Sequence, residues 1–409
     1  MAGYSSIAIT CSSTIPCHAL VLGVWETLFG YSGDEMFLQR NLMTATAVVY
    51  IITFLFALPL MCHKLGFSSY FRSPTEAYEF LEAQNEERIM NARNFFRNFD
   101  GKVDYTHDSQ IEFSTVLLTA YRGSNTHYPL QVAARLLPQV INDEGKTVFT
   151  VLNFDPQLNE DVAYLSHFVN VINGSAYGNA ASRSREKEDY IMGLETALKH
   201  NSTYILMLED DALPSNNLLN NLRFVLNHRM PGRLLKSRRD WAFLKLYYPE
   251  KWQGFGWPQV PELLLVGLFG GCLAVWIQLK IGRRRKHSIS LTFPLWAVYA
   301  MLLSYTVGRA HWIELRKLSP FLFSVVQAAR CCTPGVLYNR SHARDLANFL
   351  NSVQCSEKYP LDFAIDDFAD KSNLERYLVV PNMVSHIGVH SSLSNRLKDS
   401  AEFFLMFKP

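Results

Sequence analysis

Three consecutive carboxylates, Glu209, Asp210 and Asp211, follow an apolar run at residues 204–208. A run of this length is typical of a strand that is buried on both faces, as in a parallel sheet covered by helices. In an open α/β sheet, ligands bind beyond the carboxyl ends of the strands. Clustered carboxylates there suit magnesium or manganese, which could neutralise the phosphates of a nucleotide-sugar. The alternative is a solvated loop in which Asp210 or Asp211 caps the following helix.

A second pair of carboxylates, Asp362 and Asp366, lies one helical turn apart, so the two side chains share a helix face. A carboxylate that points into a pocket can take a proton from an attacking sugar hydroxyl. Asp362 could instead cap a helix. The residues therefore offer two candidates for a general base and do not decide between them.

His386 stands between apolar neighbours and precedes a glycine turn at Gly388. An isolated histidine in such a position is usually a core residue whose ring nitrogens are hydrogen-bonded. Beside an acidic cluster that binds a metal, the same imidazole is a candidate ligand.

The segments that must position these side chains include strands and helices in alternation, which indicates an α/β domain. Strands are predicted at residues 114–119, 147–153, 167–172, 204–208, 241–247 and 335–338. Helices are predicted at residues 74–99, 129–140, 182–199, 217–227 and 341–350.

Two arginines are candidates for contact with a diphosphate. Arg122 lies in the glycine turn after the first predicted strand, and Arg185 lies near the start of the helix at residues 182–199. A strand that leads through a glycine turn into a helix is how a nucleotide-binding α/β unit opens, although one glycine is a weak signal. The alternative for Arg185 is a basic turn that faces water.

Three uncharged apolar windows, at residues 42–62, 263–279 and 289–307, each approach the roughly 20 residues that cross a bilayer. The first forty residues lack the basic region and cleavage site of a signal peptide, so the first window is interpreted as a retained signal anchor. The other two windows follow each other closely and predict a membrane hairpin.

The link between the hairpin windows, residues 282–287, is Gly-Arg-Arg-Arg-Lys-His, and such a basic loop prefers the cytosol. Both ends of the hairpin would then emerge in the lumen and could fold together. The predicted segments are a cytosolic tail (1–41), a transmembrane signal anchor (42–62), the first part of a lumenal domain (63–260), a transmembrane helix (261–281), a cytosolic loop (282–288), a transmembrane helix (289–307) and the second part of the lumenal domain (308–409).

Two further features agree with a lumenal domain. Asn173, Asn201 and Asn339 each begin an N-x-S/T sequon, which is an acceptor for N-glycosylation. Cys331, Cys332 and Cys355 lie in the last soluble part, where one disulfide can form. Cys332–Cys355 and Cys331–Cys355 are both open as pairings.

The formal net charge of +2 over 409 residues gives no indication of nucleic-acid binding. A transporter is also disfavoured, because three spans without intramembrane charge offer no polar path. Composition therefore favours a membrane-anchored protein whose chemistry lies in the α/β domain.

A strand followed by Glu-Asp-Asp, then Pro-Leu-Asp-x-x-x-Asp at residues 360–366 and Ser-His-Ile-Gly-x-x-Ser-Ser at residues 385–392, resembles the GT-A glycosyltransferases related to N-acetylglucosaminyltransferase IV. With a membrane hairpin inside the domain, the chain is similar to the post-GPI-attachment N-acetylgalactosaminyltransferases of the Golgi. The resemblance covers about residues 40–400. It implies a Rossmann-like GT-A domain that is split by a transmembrane hairpin and preceded by a transmembrane helix.

The resemblance also implies an activity and a set of site residues. The reaction would transfer GalNAc from UDP-GalNAc to the first mannose of the GPI anchor on GPI-anchored proteins, on the lumenal side of the Golgi membrane. Manganese would be held by Asp211, with Asp210, and by His386. Asp362, or alternatively Asp366, would be the base of an inverting displacement. The implied donor-binding residues are Glu209, Asp210, Asp211, Arg122 and Arg185.

Two other functions compete with this interpretation. An N-glycan N-acetylglucosaminyltransferase is disfavoured by the hairpin, since three spans hold an active site near the bilayer, where a lipid-anchored acceptor is concentrated. A catalytically inactive membrane scaffold would have no physical need for the clustered carboxylates and His386.

Overall fold

A computed structural model of the chain describes residues 43–72, 77–103, 110–120, 126–154, 160–174, 183–280, 286–389 and 399–405. The helices of the described residues are α1 (Met43–Cys62), α2 (Ala77–Asn98), α3 (Tyr128–Ile141), α4 (Glu160–Leu165), α5 (Arg183–Leu198), α6 (Leu218–His228), α7 (Met230–Ser237), α8 (Val260–Lys280), α9 (Lys286–Val307), α10 (Arg309–Glu314), α11 (Arg340–Ser352) and α12 (Leu361–Lys371).

The strands are β1 (Phe113–Thr119), β2 (Thr147–Asn153), β3 (Asn170–Asn173), β4 (Tyr204–Glu209), β5 (Ala212–Pro214), β6 (Trp241–Lys245), β7 (Ser324–Gln327), β8 (Gly335–Asn339), β9 (Glu375–Val380) and β10 (Val384–His386). Short 3-10 helices are found at Glu250–Trp252, Trp257–Gln259, Leu315–Leu318, Pro320–Leu322 and Ser400–Phe403.

The described residues form two compact units. The helical unit comprises the described chain up to His63 together with Gly256–Thr306. The sheet unit comprises Lys64–Phe255 and the chain from Val307 onward. The sheet unit is therefore built from two stretches of sequence, one on each side of the α8–α9 pair. Which side of a membrane each segment occupies stays a prediction.

Three helices in the described part of the chain are long and apolar enough to cross a membrane, at Met43–Cys62, Trp257–Lys280 and Ser290–Val307. Glycines let α8 and α9 approach closely, as small residues do between membrane helices. A Cβ added at Gly270 would lie 2.4 Å from the Cβ of Ala300, and one at Gly271 would lie 2.9 Å from the carbonyl oxygen of Phe293.

The sheet unit contains an eight-stranded sheet in the order β3-β2-β1-β4-β8-β6-β9-β7. The four strands from β3 to β4 are parallel, as is the β6–β9 pair, whereas β8 runs antiparallel to both β4 and β6. The α/β prediction is confirmed, but the parallel environment expected for β4 holds on one edge only. The cause lies at the end of β4, where the Glu209 N–H donates to the Pro334 carbonyl. Because β8 begins next to the carboxyl end of β4, it runs antiparallel to β4.

Alternate residues of β4 pack into two separate cores. Leu206 and Leu208 belong to one buried cluster, whereas Ile205 and Met207 belong to the other. Side chains alternate between the faces of a strand, so both faces of β4 are covered. This burial confirms the strand that the apolar run predicted.

The third predicted strand begins later than expected. Residues 166–169 continue the turns after α4, with the N–H groups of Phe168 and Val169 both donating to the Leu165 carbonyl. The strand therefore starts at Asn170, which pairs with Thr150.

The predicted disulfide is not formed in the structure, in which Cys331, Cys332 and Cys355 are all free thiols. Cys355 is buried in the same core cluster as Ile205, whereas Cys332 packs against the cluster that contains Leu206. Their packing against different cores explains why the two side chains are not joined.

A buried ion pair links the sheet to α12. The Lys245 ammonium lies 2.9 Å from Oδ1 of Asp366, and both side chains are almost completely buried. Lys245 also donates to the carbonyl oxygens of Ala329 and Cys331, and Arg376 donates to the Asp366 carbonyl. Burial raises the pKa of Asp366, and Lys245 opposes that shift. Each charge needs the other because removal of one partner leaves an uncompensated buried ion.

We expect Lys245→Met to lower the free energy of unfolding by about 3–5 kcal/mol, since the Asp366 carboxylate loses its buried partner. Lys251→Met is the matched control: its 3.0 Å ion pair with Glu402 involves a lysine that is 46% exposed. An exposed pair contributes about 1 kcal/mol or less. Chemical denaturation of the detergent-purified chain measures both. Equal losses in the two variants would contradict a structural role for the buried pair.

Candidate active site

The acidic cluster lies where β4 ends, and a short ribbon brings His386 to it. Strand β5 pairs antiparallel with β10, with Ala212 opposite His386. The Ile387 N–H then donates to the Asp211 carbonyl at 2.9 Å. These main-chain bonds place His386 beside Asp211, although 175 residues separate the two in sequence.

Three side chains converge in a geometry that fits a metal ion. One ligand atom each from Glu209, Asp211 and His386 lie within 4.8 Å of one another. Nε2 of His386 lies 2.8 Å from Oδ2 of Asp211. Two carboxylates with one imidazole form a donor set that suits a divalent cation such as manganese.

Gly388 lets the chain after His386 pass close to this group. A Cβ added at Gly388 would lie 2.1 Å from Oδ2 of Asp211. Any larger residue would displace the buried Asp211 carboxylate or the backbone that follows His386. The glycine of the sequence motif is therefore explained by a close approach of the backbone to the cluster.

Asp210 faces the end of β1 instead of this group. The Ala120 N–H donates to Oδ2 of Asp210 at 3.1 Å. Asp210 and Asp211 form the turn between β4 and β5, and this turn directs Asp210 to the end of β1 while the Asp211 carboxylate meets His386. Of the three clustered carboxylates, the structure thus brings Glu209 and Asp211 together with His386.

A loop before β8 connects the group of Glu209, Asp211 and His386 to Asp362. The Thr333 hydroxyl donates to Oε1 of Glu209 at 3.0 Å, and the Cys332 N–H donates to Oδ2 of Asp362 at 3.0 Å. Cys332 adopts a left-handed backbone conformation with φ of 59°, which is uncommon for a residue other than glycine. Two neighbouring residues of one loop therefore hold carboxylates from β4 and from the start of α12.

The two carboxylates of α12 have different surroundings. Asp362 is half-buried, at the first turn of the helix. Asp366 is fully buried, and both its oxygens contact the Lys245 ammonium. The structure therefore places only Asp362 where a solvent-borne substrate can approach it.

The start of α5 contributes charges close to Asp362. Arg183 pairs with Glu186 at 3.1 Å and with Glu357 at 3.5 Å. Burial raises the pKa of Glu186; Arg183 opposes this shift, and the nearby Asp362 carboxylate adds to it. Arg185 donates to the Phe154 carbonyl, so its guanidinium supports the chain that follows β2. Arg122 lies outside the described residues.

Tyr247 and Glu250 support His386 from the side, and no pattern in the sequence signals either role. The Tyr247 ring meets the His386 ring edge-on, with centroids 5.6 Å apart. The Tyr247 hydroxyl donates to Oε2 of Glu250 at 3.2 Å, and the Asn382 amide donates to Oε1 at 2.8 Å. Burial raises the pKa of Glu250 to about 7.

An open cleft lies next to His386. Arg88 of α2 lines it, together with Glu250, His386 and Glu402. The cleft thus brings charged side chains from α2 and from the Glu250 segment to one side of His386.

The three sequon asparagines differ in exposure. Asn173 and Asn201 are exposed, whereas Asn339 is half-buried. Oδ1 of Asn339 accepts from the Ser341 N–H and hydroxyl at the start of α11. A glycan on Asn339 would therefore have to attach to a side chain that also caps a helix.

Comparison with known proteins gives a family match and similarities to solved structures, two of which follow. The model of the family GPI-N-acetylgalactosamine transferase PGAP4 matches residues 113–385. Mannosyltransferase PcManGT from Pyrobaculum calidifontis, in complex with GDP-Man and Mn2+, is 12% identical over 43% of this chain and 47% of its own, with a TM-score of 0.22. The matched part thus spans about half of that enzyme. The mannosyltransferase Ktr4p from S. cerevisiae, in complex with GDP, is 12% identical over 76% of this chain and 75% of its own, with a TM-score of 0.22.

The raised pKa of Glu250 predicts a pH dependence of stability. The folded pKa of about 7 lies above the ordinary value of 4.5, so the folded chain binds this proton more tightly than the unfolded chain. The stabilisation of the folded chain by the Glu250 proton is complete below the unfolded pKa and is lost as the pH rises through the folded pKa. We expect Glu250→Gln to remove this pH dependence. Between about pH 4.5 and pH 8, the free energy of unfolding of the variant should therefore rise by about 3 kcal/mol relative to that of the unmodified chain.

Denaturant titration of both chains across that pH range measures the difference. Glu357→Gln, which alters a carboxylate whose side chain is 82% exposed, is the control. A parallel pH response of the Glu250→Gln variant and the unmodified chain would contradict the prediction.

Proposed function

Since this chain belongs to the GPI-N-acetylgalactosamine transferase family PGAP4, whose model matches residues 113–385, we propose that it transfers GalNAc from UDP-GalNAc to the first mannose of GPI anchors on GPI-anchored proteins. The chain is a glycosyltransferase by this membership. The observation that carries the proposal is the group formed by Glu209, Asp211 and His386, joined through one loop to Asp362.

In this proposal Glu209, Asp211 and His386 hold a divalent cation, manganese by the family resemblance. Their ligand atoms already lie within 4.8 Å of one another, which supports the assignment. A bound cation would neutralise the diphosphate and so assist departure of UDP. Asp210 acts separately, because it holds the Ala120 N–H and so fixes the end of β1 beside the donor.

We assign the general base to Asp362. Its Oδ2 accepts from the Cys332 N–H, which orients the carboxylate. Asp362 takes the proton of the acceptor hydroxyl as that oxygen attacks the anomeric carbon of GalNAc. The new glycosidic bond forms as the bond to the UDP oxygen breaks on the opposite face, so the anomeric configuration inverts. Asp366 instead stabilises the fold through Lys245.

Arg185 and Arg122, the two arginines predicted to contact the donor, are assigned from their contacts and their positions in the sequence. Arg185 acts on the donor indirectly, because its guanidinium already contacts the Phe154 carbonyl and lies 3.8 Å from Asp189. Arg122 follows β1 in sequence, close to the strand end that Asp210 holds. We therefore propose Arg122 as the direct contact to the diphosphate.

We further propose that the chain is a multi-pass protein of the Golgi membrane whose sheet unit is lumenal. Three apolar helices of membrane-spanning length support a membrane location. The basic sequence of residues 282–287, between α8 and α9, supports a cytosolic position for this segment.

We expect Asp362→Asn to lower kcat for transfer by about 10²–10⁴-fold, the contribution typical of a general base. Asp211→Asn should abolish transfer and remove high-affinity Mn2+ binding. Asp370→Asn, on the same helix and paired with Arg376 at 2.7 Å, is the matched control and should stay active. Purified enzyme is assayed with UDP-GalNAc, UDP-GlcNAc, UDP-galactose and UDP-glucose, and Mn2+ binding is followed by electron paramagnetic resonance.

The outcomes separate the parts of the proposal. Full activity of Asp211→Asn in excess chelator would exclude the metal assignment. Activity of Asp362→Asn equal to that of Asp370→Asn would exclude the base. Preference for a donor other than UDP-GalNAc would exclude the proposed reaction.

The topology has its own test. A sequon engineered into residues 283–287 should remain unmodified in cells, because the cytosol lacks the glycosylation machinery of the lumen. Asn173 and Asn201, which are exposed, should carry glycans that a glycosidase removes with a shift in gel mobility. Modification of the engineered sequon would reverse the proposed orientation.

A further inference from the structure

A group of large apolar side chains is exposed on the sheet unit, in segments that supply no residue of the candidate active site. Leu318, Phe321 and Leu322 lie in two consecutive 3-10 turns and are 71%, 73% and 52% exposed. Single exposed apolar residues are common, but a contiguous group marks a surface that contacts another apolar phase. The local sequence thus places three such residues within five positions.

The fold holds these side chains outward. The Ser319 hydroxyl caps the second turn by accepting from the Phe321 N–H, while the following residue, Phe323, is buried in the core. Phe224 of α6 meets the Phe321 ring edge-on, with centroids 5.1 Å apart. Arg229 donates to the Phe321 carbonyl. The exposure of Phe321 is therefore built into the packing of this segment.

Helix α7 also exposes a large apolar side chain. It starts directly after Arg229, and its Leu235 is 81% exposed whereas Leu234 packs against the core. Arg233 and Lys236 stand next to these leucines on the same short helix. A short helix with exposed leucine and flanking cations is typical of segments that lie in a membrane interface.

We define the basic–apolar patch by its apolar and its cationic members. Its residues are Leu235, Leu318, Phe321 and Leu322 with Arg229, Arg233 and Lys236. We propose that this patch inserts its apolar side chains into the headgroup layer of a phospholipid bilayer while its cations contact lipid phosphates, and so sets the orientation of the sheet unit at the membrane.

Two observations favour a bilayer as the occupant. First, the patch combines apolar tips with cations, and phospholipid headgroups offer phosphates directly above an apolar layer. Second, Leu318 follows only eleven residues after Val307, the last residue of a helix apolar enough to span a membrane. At most about 3.5 Å per residue, this length of chain limits Leu318 to about 40 Å from Val307.

The test uses the full chain in lipid nanodiscs that contain phospholipids brominated on the acyl chains, which quench nearby tryptophan. Phe321→Trp adds a fluorophore in the patch. Because the unmodified chain already has seven tryptophans, the emission of the added residue is obtained by subtracting the emission of the unmodified chain. Met90→Trp, on α2 at a side chain that is 60% exposed, is the control. Leu322→Trp repeats the measurement should the first variant fold poorly.

We expect brominated lipid to quench about half or more of the added emission in Phe321→Trp and none of it in Met90→Trp, as for an interfacial side chain. Reversal of two charges, Arg233→Glu with Lys236→Glu, should reduce that quenching about twofold, more strongly in discs with anionic lipid. Emission that is shielded from acrylamide but not quenched by brominated lipid would show a protein partner and overturn the proposal. Emission accessible to acrylamide and unquenched by lipid would overturn it as well. Neither readout depends on transferase activity.

Discussion

The grouping of Glu209, Asp211 and His386 depends on one short main-chain pairing, the ribbon of β5 and β10. The ligand atoms of Asp211 and His386 meet because Ala212 lies opposite His386 in that ribbon. The Ile387 N–H completes the contact with the Asp211 carbonyl. Gly388 leaves room for the buried carboxylate. Since the ribbon has only three residue pairs, each neighbouring contact that holds His386 contributes to the cluster, and the Tyr247–Glu250 pair is one of them.

The central sheet shows why the α8–α9 pair is an insertion into one domain and not a link between two. Strands β4 and β6 both pair with β8, which follows the two apolar helices in sequence. The same late segment supplies the loop that contacts Glu209 and Asp362. Neither the centre of the sheet nor the candidate active site can therefore form before the chain beyond the helix pair has been made. Such non-local pairings fold slowly, because loop closure precedes the gain from the contacts.

Strong local patterns were sufficient to predict most of the elements in this fold. The strand at residues 147–153 was predicted with its observed bounds, and the apolar run before the carboxylates is β4. The family resemblance, based on three short motifs together with the predicted membrane hairpin, agrees with the family match over residues 113–385. Strand direction was harder to predict, since hydrophobic pattern carries no information about which neighbour a strand pairs with. The short edge strand β7 had no pattern long enough to recognise.

The sequence by itself determined which chemical groups are available: clustered carboxylates after a strand, a later histidine before a glycine, and a pair of aspartates on one helix face. Only the tertiary structure decided what surrounds each of them. The turn after β4 directed Asp211 toward Glu209 and His386, and Asp210 toward β1. Burial beside Lys245 separated Asp366 from Asp362. These outcomes depend on partners that are far away in sequence. The type and spacing of residues do not specify which distant partner will neutralise, orient or cover a given side chain.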